Sequence, residues 1–171
     1  MSASRIVVSD TTAITYLAQI KAIDLLKRLF TNIFIPQAVY DELTDHGDHI
    51  AGAIEVQRLP WIKVKHVKSY DEYTSKFHIE LDPGESQAIG LALDIGADLL
   101  IIDEVDGRQV AKTQGLNIAG MLGIFIKVKE EGIILAVRPY LNKLRRTNFR
   151  LSPVLYNKVL EQAGESPNGN S

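Results

Sequence analysis

The sequence predicts an α/β fold in which helices cover both faces of a mostly parallel sheet. Short apolar runs rich in β-branched residues alternate along the chain with longer segments of helical apolar spacing, the pattern of strands joined by crossover helices. The 171 residues, 46% of them apolar, suit one domain with a buried core. We expect that domain over residues 1–163, followed by a disordered polar tail at 164–171 (GESPNGNS).

Five strands are predicted from apolar runs that are bounded by turn signals. They fall at residues 5–9, 32–35, 61–67, 97–102 and 116–119. The first run, RIVVS, is typical of a buried strand, and the third, WIKVKHV, alternates as a strand with one polar face. The fourth, ADLLII, is the most apolar of the five, and it ends directly at Asp103.

Helices are predicted where apolar residues recur every three or four positions. They fall at residues 14–29, 37–45, 51–59, 82–95, 106–114, 121–131, 137–146 and 153–163. Pro36 suits the first turn of the second helix, because proline needs no amide partner there. Asp82 and Pro83 form a start signal for the fourth helix, and Gly96 ends it.

The composition excludes several classes of protein and of site. The chain has no cysteine, which rules out disulfides, thiolate metal sites and cysteine nucleophiles. A net charge of −2 argues against nucleic-acid binding through overall charge. The first residues lack the pattern of a signal peptide, and no apolar run approaches the roughly 18 residues of a membrane span. We therefore expect a cytoplasmic protein without membrane attachment.

Four acidic residues occupy positions that a core residue would ordinarily take. Asp10 and Asp103 each directly follow an apolar strand, and the carboxyl ends of strands are where sites form in open parallel sheets. Glu42 and Glu85 each lie three or four residues from apolar side chains, on the inward stripe of a predicted helix. The pattern predicts that these acids meet in one crevice.

A crevice that gathers four carboxylates needs a counter-ion. Two like charges about 4 Å apart repel by about 4 kcal/mol at an effective dielectric constant of about 20. The cluster should therefore hold a proton or bind a divalent cation, and oxygen ligands favour Mg²⁺ or Mn²⁺. Such ions offset the charge that develops when a phosphodiester is attacked in line. Phosphodiester hydrolysis is the reaction that this arrangement favours.

Each acid also fits an ordinary structural role, and the sequence leaves both interpretations open. Asp10 is placed to cap the following helix, and Asp82 with Glu85 has the spacing of a capping box, which is compatible with metal binding. Glu42 fits a partly buried acid paired with a basic residue. Asp103 is the hardest to explain structurally, because four apolar residues lead straight into its charge.

One group of basic residues is a candidate for contact with phosphates. It lies near the predicted C-terminal helices and consists of Lys143, Arg145, Arg146 and Arg150. Beside the acidic crevice, this group would supply the attraction for phosphate that the net charge lacks. A solvated helix face explains it equally well.

Four segments, in order along the chain, resemble the motifs of PIN-domain ribonucleases. They are residues 8–14 (VSDTTAI), 35–43 (IPQAVYDEL), 81–89 (LDPGESQAI) and 99–104 (LLIIDE). The helical part beyond, with RPYL and FRLSP, resembles a toxin-type prokaryotic branch of the family whose function is uncharacterised. The resemblance implies a Rossmann-like three-layer α/β/α sandwich with extra C-terminal helices.

The resemblance also implies a Mg²⁺- or Mn²⁺-dependent endoribonuclease. Carried over to this chain, the catalytic and metal-binding acids are Asp10, Glu42, Glu85 and Asp103. Asp106 is the choice for a further metal-binding acid, with Glu104 as the alternative. Thr12 corresponds to the family's hydroxyl residue near the first aspartate. We expect the residues that contact substrate RNA to be Thr12, Lys143, Arg145 and Arg146.

The resemblance further implies partners, and the residues leave two other functions open. Many PIN proteins are toxins neutralised by a small antitoxin and many dimerise, so an antitoxin and a second copy of the chain are expected partners. One alternative is a non-catalytic module of the same fold that binds RNA or protein. The other is a Mg²⁺-dependent phosphatase with Asp10 as nucleophile, which is weakened because no second aspartate stands two residues later.

Overall fold

The computed structural model describes residues 5–166, and within this range the chain forms one five-stranded sheet. Its strands are β1 (Val7–Ser9), β2 (Ile33–Pro36), β3 (Ile62–Lys65), β4 (Leu99–Ile101) and β5 (Ile118–Ala119). They lie in the order β3-β2-β1-β4-β5, and every neighbouring pair is parallel. All five overlap the predicted strands.

Ten helices accompany the sheet within the described residues. They are α1 (Thr11–Gln19), α2 (Asp24–Phe30), α3 (Gln37–Thr44), α4 (Ala53–Arg58), α5 (Tyr70–Thr74), α6 (Pro83–Asp94), α7 (Val105–Thr113), α8 (Met121–Glu130), α9 (Arg138–Leu144) and α10 (Pro153–Gln162). Among these helices, none combines the length and the apolar content that crossing a lipid bilayer requires.

Alternate strand residues face two separate helix layers, which makes the fold a three-layer sandwich. On one face, Val7, Ile35 and Ile101 pack into a core with side chains of α1, α2, α3, α8, α9 and α10. On the other face, Val8 and Leu100 pack with side chains of α6 and α7. Because strand side chains alternate with a period of two, strands β1, β2, β4 and β5 contribute to both cores, whereas β3 contributes its apolar side chains to the first. The predicted fold class, with its extra C-terminal helices, is confirmed.

The helix predicted over residues 14–29 is interrupted in the structure. Lys21 adopts a φ of +59°, and the amide of Ala22 donates to the carbonyl of Leu17 at 2.7 Å, which ends the helical chain path. Both α1 and α2 pack against the same core, so the apolar spacing continues across the turn and hides it. The short helix α5 has no buried residue, which is why no apolar stripe predicts it.

The predicted tail is ordered at its first residues. Glu165 accepts hydrogen bonds from the amides of Val137 (2.7 Å) and Arg138 (3.2 Å) and forms an ion pair with Lys129 at 3.1 Å. Burial by itself would raise the pKa of Glu165, but these amides and the lysine outweigh it and lower that pKa. The chain is therefore tied to α8 and α9 beyond the last helix, and residues 167–171 of the predicted tail lie outside the described residues.

We predict that Glu165→Gln destabilises the protein by about 1–3 kcal/mol at neutral pH, because it removes a carboxylate that accepts several charge-assisted hydrogen bonds. Thermal unfolding should show a decrease of about 2–4 °C per kcal/mol for a domain of this size. The matched control is Glu161→Gln, which changes an exposed side chain of α10. Equal unfolding temperatures for the two variants would contradict the anchoring role of Glu165.

Candidate active site

Asp10 and Asp103 lie at the carboxyl ends of two neighbouring strands. Strands β1 and β4 pair in parallel, with Ser9 opposite Ile101, and the amide of Asp10 donates to the carbonyl of Ile101 at 3.0 Å. The strand order reverses direction between these two strands, since β2 and β3 follow on one side and β5 on the other. Crevices at such a switch point are the usual ligand sites of open parallel sheets.

Asp10 is buried and Asp103 is half-buried, and each has one buried oxygen without a hydrogen-bond partner among the described residues. Asp10 is only 2% exposed, and its Oδ1 atom accepts no hydrogen bond. Asp103 Oδ1 accepts from the amide of Met121 at 3.0 Å, whereas its buried Oδ2 atom also has no partner. Although Asp10 stands at the N-cap of α1, its side chain makes no capping hydrogen bond there. Capping therefore does not account for the unpartnered Oδ1 atom of this residue.

The surroundings of the two aspartates oppose their ionisation. Burial, followed by the negative charges of Asp103 and Glu85, raises the pKa of Asp10 well above its ordinary value. The amides of Thr12 and Asp103 oppose this shift. Burial also raises the pKa of Asp103, although the amide of Met121 and the guanidinium of Arg108 act in the other direction. Folding therefore places negative charge where it is poorly stabilised.

Glu85 belongs both to a helix start and to the acidic cluster. Its amide donates to Asp82 Oδ1 at 2.8 Å, and the backbone of Asp82 in turn bonds the Glu85 carboxylate, so the predicted capping box is present. Burial, together with the charges of Asp82, Glu104 and Asp106, nevertheless raises the pKa of Glu85 to about 7. Glu85 therefore caps the start of α6 and also belongs to the acidic cluster.

Glu42 reaches the site from α3 but is not buried, contrary to the sequence-based expectation. Its side chain is exposed and accepts a hydrogen bond from Thr11 Oγ1 at 2.8 Å. A β-carbon built on Gly84 would lie 2.7 Å from Glu42 Oε2, so the carboxylate packs directly over the start of α6. The apolar stripe of α3 thus leads Glu42 to the rim of a cavity rather than into the core.

The acids surround a cavity of about 380 Å³ at this edge of the sheet. Its charged lining consists of Asp10, Glu42, Glu80, Asp82, Glu85, Glu104 and Asp106. Both candidates for the further acid, Asp106 and Glu104, are therefore present, and among residues 5–166 no basic side chain lines this cavity. Asp103 opens instead into an adjoining cavity, and Thr12 and Glu104 line both.

The predicted basic residues lie elsewhere. Lys143 and Arg146 line a separate groove with Lys21, and the guanidinium of Arg145 lies 3.5 Å from the ring centroid of Tyr156. The packing of α9 thus places these three residues outside both cavities that hold the acids, and their contact with substrate RNA stays a prediction. The fourth member of the predicted group behaves differently. Arg150 lines the cavity into which Asp103 opens.

The sequence-based interpretation missed Arg108, the basic residue that acts on Asp103. Its Nη1 atom donates to the carbonyl of Ile102 at 3.0 Å, and its charge lowers the pKa of Asp103. A signal existed in the sequence, because Arg108 stands five residues after Asp103 and one helical turn after Glu104. Glu80 was also missed, since it precedes α6 in a loop without periodicity.

Comparison with known families matches residues 6–165 to a family model described as PIN domain. The chain belongs to the PIN-domain family. The match extends through the C-terminal helices, beyond the four segments that carry the resemblance. The PIN domain is a nuclease-type fold, and its members usually use divalent metals. Among curated proteins, none matches this chain significantly.

The residues at the switch point fit a hard divalent cation. Asp10 Oδ1 and Asp103 Oδ2 are buried and unpartnered, and carboxylate oxygens are the ligands that Mg²⁺ and Mn²⁺ prefer. Within residues 5–166, no three carboxylate or imidazole groups are already arranged around one point as ion ligands. The fit therefore rests on the two aspartates, and further acids would have to approach them on binding.

We predict that Asp10→Asn stabilises the protein in EDTA at about pH 8 by about 1–3 kcal/mol, because the wild-type protein buries a carboxylate oxygen without a partner. Folding raises the pKa of Asp10 and Glu85, so the folded chain binds more protons, and wild-type stability falls as the pH rises through about 7, the pKa of Glu85. The difference should shrink at about pH 5, because Glu85 is then protonated and the raised pKa of Asp10 favours its neutral form as the pH falls.

Thermal unfolding of both proteins at the two pH values measures this effect. The control is Asp24→Asn, which removes the same charge from an exposed position of α2. A variant that is less stable than wild type at both pH values would show that Asp10 is a stabilising acid.

Proposed function

We propose that the protein is an endoribonuclease that hydrolyses RNA phosphodiester bonds with Mg²⁺ or Mn²⁺ as cofactor. The observation that carries this proposal is the pair of buried, unpartnered oxygens of Asp10 and Asp103 on adjacent strands. Buried carboxylates are costly unless they are protonated or bind a cation. The nuclease-type fold of the family supports a phosphodiester as the substrate.

Asp10 and Asp103 would hold the cation at the centre of the site. Glu85 is the first candidate for a third ligand, because its charge acts on Asp10. Glu42 and the alternatives Asp106 and Glu104 line the same cavity. When bound, the cation supplies Lewis-acid stabilisation of the negative charge that develops on the phosphate during attack by water.

Two threonines organise the polar groups around this centre. Thr11 donates to Glu42 Oε2 at 2.8 Å, which holds that carboxylate at the rim of the acidic cavity. Thr12 lines both cavities at the boundary between them. Its hydroxyl is therefore placed to donate a hydrogen bond to a phosphate oxygen that crosses the boundary. Charge stabilisation by donors aimed at the reacting phosphate is a major contribution to phosphoryl-transfer catalysis.

We predict that Asp103→Asn lowers RNA cleavage by about 100-fold or more, because the loss of one ligand removes several kcal/mol of charge stabilisation and each 1.4 kcal/mol is about tenfold in rate. The measurement follows cleavage of labelled RNA by the purified protein with Mn²⁺ or Mg²⁺ and, in parallel, with EDTA. Asp24→Asn serves as the charge-matched control and should retain the wild-type rate, since Asp24 is exposed on α2.

The outcomes separate the alternatives. Metal-dependent cleavage that is lost in Asp103→Asn and retained in Asp24→Asn supports the nuclease. Hydrolysis of a phosphomonoester, with no cleavage of RNA, would favour the phosphatase instead. RNA or metal binding without hydrolysis of either substrate would favour a non-catalytic module. Full activity of Asp103→Asn would contradict the assignment of Asp103 as a metal-binding acid.

A further inference from the structure

A second cavity, of about 670 Å³, adjoins the acidic cavity on the side of Asp103. The two cavities share Thr12, Glu104 and Val105 in their walls. Beyond this boundary the lining becomes aromatic, apolar and basic. It consists of Tyr16, Leu122, Asn148, Phe149, Arg150 and Leu155. The volume falls within the range of about 300–1,000 Å³ that is typical of small-ligand sites.

Phe149 gives this cavity a fixed aromatic surface. Its ring packs edge-on against Tyr16, with centroids 5.2 Å apart and an interplanar angle of 74°. Its amide donates to Thr147 Oγ1 at 3.1 Å, and that hydroxyl donates to the carbonyl of Leu144 at 2.6 Å, which holds the turn in place. Val105, 77% exposed at the boundary, adds an apolar contact. Aromatic surfaces of this kind bind unpaired nucleobases by stacking.

Arg150 gives the same cavity a positive charge that the acidic cavity lacks. Arg150 is exposed, and among the described residues the ion pairs involve other side chains, Lys76 with Glu72 and Lys129 with Glu165. A phosphate backbone is repelled by the carboxylates around Asp10 and attracted towards Arg150. A nucleic-acid strand therefore reaches Asp103 most favourably from the side of this cavity.

We propose that this cavity binds the nucleotide next to the cleaved phosphate, with its unpaired base on Phe149 and a phosphate at Arg150. The inference rests on the proposed nuclease function, and it adds the residues that select and position the substrate. Phe149 and Arg150 are positioning residues, because they contact the strand away from the reacting phosphate. A base that stacks here cannot remain in a duplex, so RNA that is paired at this nucleotide binds poorly.

The test measures the affinity of a labelled single-stranded RNA by fluorescence anisotropy over a range of salt concentrations, with Ca²⁺ in place of Mg²⁺ to prevent turnover. Phe149→Leu should weaken binding by about 5- to 100-fold, the usual effect of losing one stacked base, and Phe149→Tyr should restore it. Arg150→Gln should reduce the slope of log affinity against log salt by about 0.7, the value for one phosphate contact on a single strand.

Arg28→Gln is the matched control for Arg150→Gln, because it removes an exposed arginine from α2. Cleavage by the wild-type protein is measured in parallel, which keeps the two proposals separate. Wild-type cleavage with unchanged affinity and salt slope in the variants would overturn this inference and leave the nuclease intact. Weakened binding in both variants, with no cleavage by wild type, would support the cavity assignment and overturn the nuclease.

Two further outcomes are decisive. Equal affinity of the wild-type protein for single-stranded RNA and for the same RNA in a duplex would contradict a stacked base. If Phe149→Leu unfolds, the salt dependence of RNA binding by Arg150→Gln tests the proposal alone, and an unchanged slope overturns it. The Arg150 side chain is exposed and makes no hydrogen bond within residues 5–166, so its replacement leaves the fold intact.

Discussion

The site depends on one constraint, which is that two buried carboxylates follow adjacent parallel strands. Strands β1 and β4 pair in register, so the residues that come after them leave the sheet at the same edge. Asp10 and Asp103 are thereby held together in a place from which water is largely excluded. Burial raises the pKa of Asp10, and the negative charge of Asp103 nearby raises it further. The fold accommodates them fully only when protons or a cation offset their charge.

Among the described residues, no basic side chain forms an ion pair with Asp10 or Asp103. The guanidinium of Arg108 bonds the carbonyl of Ile102, and it forms no ion pair with Asp103 among the described residues. A β-carbon built on Gly120 would lie 2.9 Å from Asp103 Oδ1 and 3.0 Å from Arg108 Nη1, so a larger residue there would displace both groups. The structure thus keeps a basic residue near the pair without letting it occupy the position of a counter-ion. Such an arrangement is expected of a site that binds its counter-ion from solution.

The sequence predicted those features that local patterns determine. Asp10 and Asp103 were found because an apolar strand followed by an acid is a local signal, and Glu85 because it lies on the inward apolar stripe of the helix predicted at residues 82–95. The surface positions of α9 and of the turn before α10 depend on how the C-terminal helices pack against α8 and α1. No local pattern encodes that packing, so the basic groove and the separate cavity at Arg150 could not be predicted.

If this carboxylate pair is a divalent-cation site, calorimetric titration of Mn²⁺ into the metal-free protein will detect it without any substrate. Performed at neutral pH in two buffers of different ionisation enthalpy, the titration reports both binding and proton release. We expect Mn²⁺ to bind and to release protons, because burial and neighbouring acids raise the pKa of Glu85 to about 7 and also raise that of Asp10. Asp10→Asn should weaken both effects. Absence of binding to the wild-type protein, or equal binding by Asp10→Asn, would contradict a cation site at this pair.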